Sequence, residues 1–314
     1  MRINTVDYFD NSRKAESTMT HFALPEDRDF RILQITDIHL EADERLPEGE
    51  KTFALIRQAL KDTSPDLVVI TGDIAWGKAD RQALDRLAEE LGSAGIPWAP
   101  VLGNHDGERL GENGRRTFAG WLLGRKNCLF ELGPDSVDGS GNYVITVGGT
   151  PEAPAWALFL LDSHDGYFAL NQLFWYAQTS ADLGPDHSEL AFFHIPLPEY
   201  TEVWDYEPCT GFNQERVCAT ACNDGLFSAM VRGGAMRGVF VGHDHINDFE
   251  GTLKGIRLCY GRGTGYQCYG LEGYPKGARI IDIGKGPAFR TSIYLETGEI
   301  YEQKRFRKPK LSRK

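Results

Sequence analysis

The chain has 314 residues, of which 41% are hydrophobic and 25% are charged, and this profile is typical of a globular protein that can bury a core. Its net charge is −11; because residues 304–314 hold seven Lys and Arg and no acid, the remainder carries −18 (27 basic against 45 acidic residues). An acidic body repels the phosphate backbone, so we expect no nucleic-acid partner.

The terminal segments contain no pattern for export or membrane insertion. Residues 1–28 form a polar leader without an apolar signal core, and no apolar stretch approaches the length of a membrane span. The six cysteines form no CxxC pair, so we interpret them as reduced thiols. These observations predict a cytoplasmic protein that does not contact a membrane. We interpret the basic segment 301–314 as a solvated tail.

Short apolar runs alternate with amphipathic segments in the first part of the chain. Apolar runs predict strands, and apolar residues at helical spacing predict helices. The predicted strands cover residues 30–36, 66–71, 97–102, 155–161, 189–193 and 238–241, and the predicted helices cover residues 50–61 and 79–91. This alternation is typical of parallel strands with helices on both faces of the sheet.

Three later apolar segments follow one another without a helical pattern between them, which predicts antiparallel strands. They cover residues 256–260, 278–283 and 291–294. We therefore expect a mixed sheet or a two-sheet sandwich. No linker rich in Pro, Gly and Ser divides the chain. The fold class predicted is α/β (α+β), with a single domain over 29–300 that has loop insertions over about 107–150 and 196–232.

Five short polar clusters each close an apolar run. They are Asp37-Ile38-His39, Gly72-Asp73, Gly103-Asn104-His105-Asp106, His194 and Gly242-His243-Asp244-His245. Every cluster follows the carboxyl end of a predicted strand, which is the edge where open α/β sheets place their ligands. Each has an ordinary explanation on its own, since a lone Gly-Asp is most often a turn and Asn104 could cap a helix. However, five of the eight histidines lie in these clusters, and this combination favours one functional site.

The donor types in these clusters suit a pair of metal ions. Asp37 and His39 alternate, and in an extended segment alternate side chains point to one side of the backbone. A carboxylate such as Asp73 can bridge two cations and hold them within the ~3.5–4 Å that a two-metal mechanism needs. Mixed imidazole and carboxylate donors favour Mn, Zn or Fe over Mg or Ca. One histidine left over from such a set suits a proton donor, so the sequence predicts a dinuclear metallohydrolase of phosphate esters.

The series D-x-H, GD, GNHD, H and GHDH resembles the pattern of the calcineurin-like metallophosphoesterase superfamily, over about residues 30–283. The stretches 194–199 (HIPLPE) and 242–248 (GHDHIND) are similar to those of purple-acid-phosphatase-related proteins that lack the large N-terminal β domain. The resemblance implies a two-sheet αββα sandwich with the metal site at the C-terminal strand ends. It also implies hydrolysis of phosphate esters, with two metal ions activating water for attack on phosphorus.

The same resemblance implies a role for each site residue. The first metal would be held by Asp37, His39 and His245, the second by Asn104, His194 and His243, and Asp73 would bridge the two. His105 would stay off the metals and face the substrate. A protonated His105 would either stabilise the developing oxyanion or protonate the leaving group, and we expect Asp106 to orient it. Asp244 and Asp248 are candidates for fixing the tautomer of a ligand, although each could equally be a solvated carboxylate.

One residue departs from the pattern of true purple acid phosphatases, which carry a Tyr ligand three residues after the bridging Asp. That place holds Trp76 in this chain. Because indole is not a metal ligand, we expect no ferric-tyrosinate colour. Two divalent ions of Mn, Zn or Fe are then the expected cofactors.

The substrate pocket is less well defined by the sequence. Asn104 and His105 would contact the phosphate, Arg262 in the glycine run 261–266 could clamp it, and Tyr266 could belong to an aromatic wall, although core packing explains Tyr266 equally well. The leading hypothesis is hydrolysis of a phosphomonoester, either a small molecule or a phosphoprotein. A phosphodiesterase of cyclic-nucleotide or other type and a non-catalytic metal-binding scaffold are the alternatives.

Overall fold

The computed structural model of the chain describes residues 19–41, 46–76, 80–219, 224–303 and 305–306. Most of the predicted leader and of the basic tail therefore lies outside the described residues. Six helices occur in the described part: α1 (Leu46–Thr63), α2 (Asp80–Ala94), α3 (Gly114–Leu122), α4 (Leu170–Asp182), α5 (Glu199–Tyr206) and α6 (Leu226–Gly233). None of these helices has the length and apolar content needed to cross a membrane.

The strands form two sheets. The six-stranded sheet contains β2 (Phe30–Ile35), β3 (Leu67–Thr71), β4 (Trp98–Val101), β12 (Gly277–Ile283), β13 (Phe289–Leu295) and β14 (Ile300–Tyr301), in the order β14-β13-β12-β2-β3-β4. Strands β2, β3 and β4 are parallel, whereas β12 is antiparallel to β2 and to β13. The carboxyl ends of β2, β3 and β4 consequently lie at one edge.

The nine-stranded sheet contains β1 (Thr20–Phe22), β5 (Tyr143–Thr150), β6 (Ala153–Leu160), β7 (Ser188–Phe192), β8 (Cys209–Thr210), β9 (Met236–Val241), β10 (Glu250–Leu253), β11 (Ile256–Tyr260) and β15 (Arg305–Phe306). Their order in the sheet is β1-β5-β6-β7-β9-β11-β10-β8-β15. Its central strands β6, β7, β9 and β11 are parallel to one another.

The two sheets pack face to face with helices on their outer faces. Alternate residues of β7 show this, because Leu190 and Phe192 pack in the larger core with residues of β2 and β3, whereas Ala191 packs in the second core. The larger core also takes in the apolar faces of α1 and α2, and the second core takes in α4 and α6. This is the predicted αββα sandwich, and its cause is the run of strands that are apolar on both faces.

Each predicted strand is present, with its ends shifted by at most two residues. Strand β11, which was predicted to be antiparallel to its neighbours, pairs antiparallel with β10 but parallel with β9. Regular structure also occurs outside the predicted strands and helices. Strand β1 lies within residues 1–28, α3 and β5 lie within residues 107–150, and β14 and β15 lie within residues 300–306. Strand β5 was not predicted, because Gly148 and Gly149 interrupt its apolar pattern. Both glycines adopt positive φ where the strand ends.

A buried hydrogen-bonded group anchors β7, the strand that leads to His194. The Glu189 carboxylate accepts a bond from the Tyr176 hydroxyl (2.7 Å) and lies 2.8 Å from His187 Nε2, while His187 Nδ1 donates to the Gly184 carbonyl (2.7 Å). Both ring nitrogens thus face acceptors, and the hydrogen bond to Glu189 raises the pKa of His187. The folded state therefore favours the imidazolium form.

We predict that His187→Ala lowers the free energy of unfolding by about 2 kcal/mol at pH 6, because the buried Glu189 carboxylate loses one of its two hydrogen-bond partners and retains only the Tyr176 hydroxyl. A histidine whose pKa is raised by folding stabilises the protein below the unfolded pKa, and this contribution disappears as pH rises through the folded pKa. Urea unfolding of both proteins at pH 6 and pH 9 measures this. Equal differences at the two pH values would show that the charge on His187 contributes nothing.

Candidate metal centre

A first group of metal-ligating atoms forms where β2, β3 and β9 end. One ligand atom from each of Asp37, His39, Asp73 and His245 lies within 4.8 Å of the others. Nε2 of His39 is 3.2 Å from Nε2 of His245 and 3.3 Å from Oδ2 of Asp73. All four residues are buried, so the group offers two imidazoles and two carboxylates shielded from bulk water.

A second group shares Asp73 with the first. Ligand atoms of Asp73, His194 and His243 again lie within 4.8 Å of one another. Nε2 of His194 is 3.1 Å from Oδ2 of Asp73, 3.3 Å from Nδ1 of His243 and 3.1 Å from Oδ1 of Asn104. The structure thus brings together all seven residues predicted as ligands, with Asp73 common to both groups.

The backbone that carries these side chains is not the extended segment assumed from the sequence. Asp37, His39, Asp73 and His243 have φ values of 53°, 49°, 51° and 78°, in the left-handed region that favours glycine. Strand β2 ends at Ile35, before the first ligand. Asp37 and His39 therefore reach the same site through strained turns and not through strand alternation, and such strain is concentrated at functional sites.

Two glycines make room for the ligands. A Cβ atom at Gly103 would lie 2.1 Å from Oδ1 of Asp73, and one at Gly242 would lie 2.0 Å from Oγ1 of Thr36 and 2.9 Å from Oδ2 of Asp37. Only a residue without a side chain fits such close approaches. This explains why a glycine precedes the ligand-bearing residues at the ends of β4 and β9.

Hydrogen bonds fix the orientation of several ligands. Nδ1 of His194 donates to the Thr71 carbonyl (2.8 Å), which leaves Nε2 to face Asp73. The Asp37 carboxylate accepts bonds from the Thr36 hydroxyl (2.9 Å) and from the backbone N–H of His243 (3.0 Å). Both contacts hold the side chain toward the first group.

The charges of the site follow from its burial. Burial lowers the pKa of His39 to about 4, of His243 to about 3 and of His245 to about 2, so these imidazoles are neutral at pH 7. Burial raises the pKa of Asp37 to about 7. Burial opposes charge on His194 as well, but the Asp73 carboxylate outweighs it and raises the pKa of His194 to about 9.

These residues fit two divalent cations. Neutral imidazoles and carboxylates are the donors that Zn, Mn and Fe accept, and two imidazole nitrogens 3.2 Å apart beside a carboxylate leave lone pairs facing one another. The Asp73 carboxylate, 3.1 Å from Nε2 of His194, places negative charge where a cation would bind.

His105 stands beside the ligand groups with a partner that the sequence reasoning missed. Its backbone N–H donates to Oδ1 of Asp73 (2.9 Å), and its Nδ1 lies 2.5 Å from Oε2 of Glu108. The imidazole is one-third exposed. The spacing of three residues, which places side chains together on a helical turn, is a signal that could have identified Glu108.

Asp106 does not orient His105 as we expected. Its buried carboxylate accepts bonds from the backbone N–H groups of Ile74 (2.8 Å), Ala75 (3.0 Å) and Gly103 (2.8 Å). The carboxylate thus connects the turn after β3 to the turn after β4. Asp106 therefore positions ligand-bearing backbone, and Glu108 contacts the imidazole.

A cavity of about 380 Å³, which we call the metal cavity, opens onto the two ligand groups. Residues outside the ligand set that line it are Trp76, His105, Glu215, Arg216, Cys218, Asp244, Cys268 and Tyr269. Tyr269 stacks on His245 with ring centroids 4.0 Å apart, and its hydroxyl donates to Glu215 (2.9 Å). Arg216 is exposed. The cavity therefore combines aromatic, cationic and anionic groups near the metal ligands.

The two other residues expected to bind substrate lie elsewhere. Arg262 is buried, donates to Asp248 (2.6 Å), lies over the Tyr274 ring and lines a different cavity. Tyr266 packs against the larger core, and its backbone N–H donates to Thr52 (3.0 Å). Both predictions fail because the chain folds these side chains inward. Tyr269 and Arg216 line the metal cavity instead, and no spacing in the sequence distinguished them.

Trp76 lies against the site without offering a ligand. Its ring centroid is 6.1 Å from that of His39 and 5.6 Å from that of His105, and the Arg109 guanidinium lies 4.9 Å from the indole. The first ligand group is assembled without a side chain from this position, because His39 already faces Asp73. Trp76 thus forms a wall of the cavity.

Comparison with known proteins agrees with this geometry. Residues 30–247 match the family described as calcineurin-like phosphoesterase. "Probable inactive purple acid phosphatase 28" of Arabidopsis thaliana is 34% identical over 83% of this chain and 77% of its own length. Phosphatase DCR2 of Saccharomyces cerevisiae is 31% identical over 74% of this chain and 48% of its own length.

Among solved structures, a dimetal phosphatase from Danio rerio has a similar fold. It superposes with a TM-score of 0.60 at 14% identity, covering 89% of this chain and 99% of its own. That likeness concerns the fold alone, whereas the family match spans more than half of the chain, including every predicted ligand. The chain therefore belongs to the calcineurin-like phosphoesterase family.

Proposed function

We propose that the chain is a metal-dependent phosphomonoesterase that uses two metal ions held by Asp37, His39, Asp73, Asn104, His194, His243 and His245. The observation that carries this proposal is the Asp73 carboxylate, whose Oδ2 lies within 3.3 Å of ring nitrogens in both ligand groups. A shared carboxylate favours two adjacent cations over a single one. We further propose that residues 29–300 act as a single phosphoesterase domain.

The bound metals would supply electrostatic stabilisation of the phosphate and an activated water at neutral pH. Side chains of the protein would contribute phosphate binding and proton transfer. The Asn104 amide, 3.1 Å from His194, stands where it can also donate to a phosphate oxygen. Nδ1 of His105 is held by Glu108, which leaves Nε2 to give a proton to the leaving oxygen. Trp76 and Tyr269 line the cavity that opens onto the ligand groups.

The substrate we propose is a small-molecule or phosphoprotein phosphate ester. The acidic body disfavours nucleic acid, and the cytoplasmic location stays a prediction from the sequence. Several relatives carry the word inactive in their names, but this chain keeps the complete donor set. Comparing p-nitrophenyl phosphate with bis-p-nitrophenyl phosphate separates a monoesterase from a diesterase.

We predict that Asp73→Asn lowers the metal content from about two ions per chain to below one and abolishes phosphatase activity, because a neutral amide cannot bridge two cations. Metal analysis after removal of free metal, with turnover of p-nitrophenyl phosphate, measures both effects. Exposed Asp138→Asn is the matched control and should leave both values unchanged. Two metals bound by the Asp73 variant would contradict the bridging role.

We predict that His105→Ala lowers kcat roughly 10²- to 10⁴-fold for an alkyl phosphate, as expected for loss of a general acid. The loss should be much smaller for p-nitrophenyl phosphate, because nitrophenolate leaves without a proton. Glu108→Gln should follow the same pattern with a smaller loss, and Glu112→Gln, in the same exposed segment, should change neither rate. Equal losses for both leaving groups would exclude proton donation by His105.

A further inference from the structure

A thiol stands beside the first ligand group. The sulfur of Cys268 and ring nitrogens of His39 and His245 all lie within 4.8 Å of one another. Cys268 also lines the metal cavity. Its S–H faces the carbonyl oxygens of Gly265 (3.2 Å) and Asp37 (3.6 Å), so the sulfur stays close to the backbone that carries the first ligand.

The segment before Cys268 is packed tightly beneath the ligands. The backbone N–H groups of Thr264 and Gly265 donate to the carbonyls of Thr36 (3.0 Å) and Asp37 (3.2 Å). A Cβ atom at Gly265 would lie 2.4 Å from the Asp37 carbonyl oxygen. The glycine run that suggested a phosphate-binding loop therefore serves close backbone packing, and it fixes where Cys268 can stand.

A buried ammonium group accompanies the thiol. Nζ of Lys276 lies 3.6 Å from the Cys268 sulfur and donates to the Tyr269 carbonyl (3.1 Å). Lys276 is 9% exposed. This ammonium opposes the effect of burial, which raises the pKa of the Cys268 thiol to about 11, so the sulfur is a neutral thiol until a bound cation displaces its proton.

We propose that Cys268 is an additional ligand of the first metal position and makes that position select a thiophilic ion such as Zn²⁺ or Co²⁺ over Mn²⁺. The S–H proton leaves to solvent, a sulfur lone pair forms the bond to the cation, and no group changes oxidation state. Soft thiolate donors favour Zn²⁺ and disfavour Mn²⁺. This inference rests on the proposed function, because it assumes that the first position holds a metal.

The test uses the full chain, stripped of metal with a chelator and titrated with Co²⁺. A cobalt–thiolate bond produces a charge-transfer band in the near ultraviolet, which imidazole and carboxylate donors do not. We expect this band in the wild type and its loss in Cys268→Ser, with two Co²⁺ ions still bound. The preference for Zn²⁺ over Mn²⁺, measured by competition with a chromophoric chelator, should fall by about tenfold or more in the variant.

Cys218→Ser is the matched control, because that sulfur lies near His243 and Asp244, on the side of the second group. The band should survive in this variant. A band lost in Cys218→Ser but kept in Cys268→Ser would overturn the proposal, as would two bound Co²⁺ ions without any band. Failure to bind Co²⁺, Zn²⁺ or Mn²⁺ at all would instead overturn the proposed function itself.

A second measurement covers the case in which Cys268→Ser does not fold. In the wild type, Zn²⁺ should slow the alkylation of Cys268 by iodoacetamide about tenfold or more relative to the metal-free protein, and Mn²⁺ should not. Mass spectrometry of the peptide containing Cys268 reads out the result. Equal alkylation with Zn²⁺ and Mn²⁺ would overturn the proposal.

Discussion

The position of the Asp73 carboxylate is the constraint on which the rest of the site depends. Oδ2 lies near imidazole nitrogens of both ligand groups, and Oδ1 accepts the backbone N–H of His105. Because that carboxylate is fully buried, every neighbour must either donate to it or leave it space. Gly103 leaves space for the carboxylate, and the backbone N–H of His105 donates to it. The position of Asp73 at the end of β3 therefore determines the shape of the turn after β4.

Holding such a site together costs conformational free energy, which the sandwich offsets. Four ligand-bearing residues adopt left-handed backbone conformations, each with an expected cost of about 1–3 kcal/mol. The strands that lead into them have fully buried apolar residues, such as those of β3, on both faces. Their large buried apolar surface is the favourable term that can support strained turns at the sheet edge. Asp106 adds to this by joining two of the turns through their backbone amides.

The strands and the polar residues at the sheet edge could be predicted from the sequence because both depend on local patterns, whereas the two-sheet sandwich and the division of the ligands between two metals were implied by the family resemblance. Apolar runs define strands, and a polar residue directly after a run falls at the sheet edge whatever the turn looks like. The structure brings Asp37 and His39 together as expected, but through turns with positive φ and not through strand alternation. Arg262, Tyr266 and Asp106 were misplaced because the direction of a side chain after a glycine or a turn depends on tertiary packing, which no spacing encodes.

The predicted metal ligands and the other residues that line the cavity come from different parts of the fold. The ligands stand at the ends of parallel strands within a close-packed sandwich, whereas Glu215, Arg216 and Tyr269 come from segments outside regular helices and strands. We expect changes in those segments to alter which compound enters the cavity without moving a ligand. Tyr269 is the point of contact between the two, because it stacks on His245 and also binds Glu215.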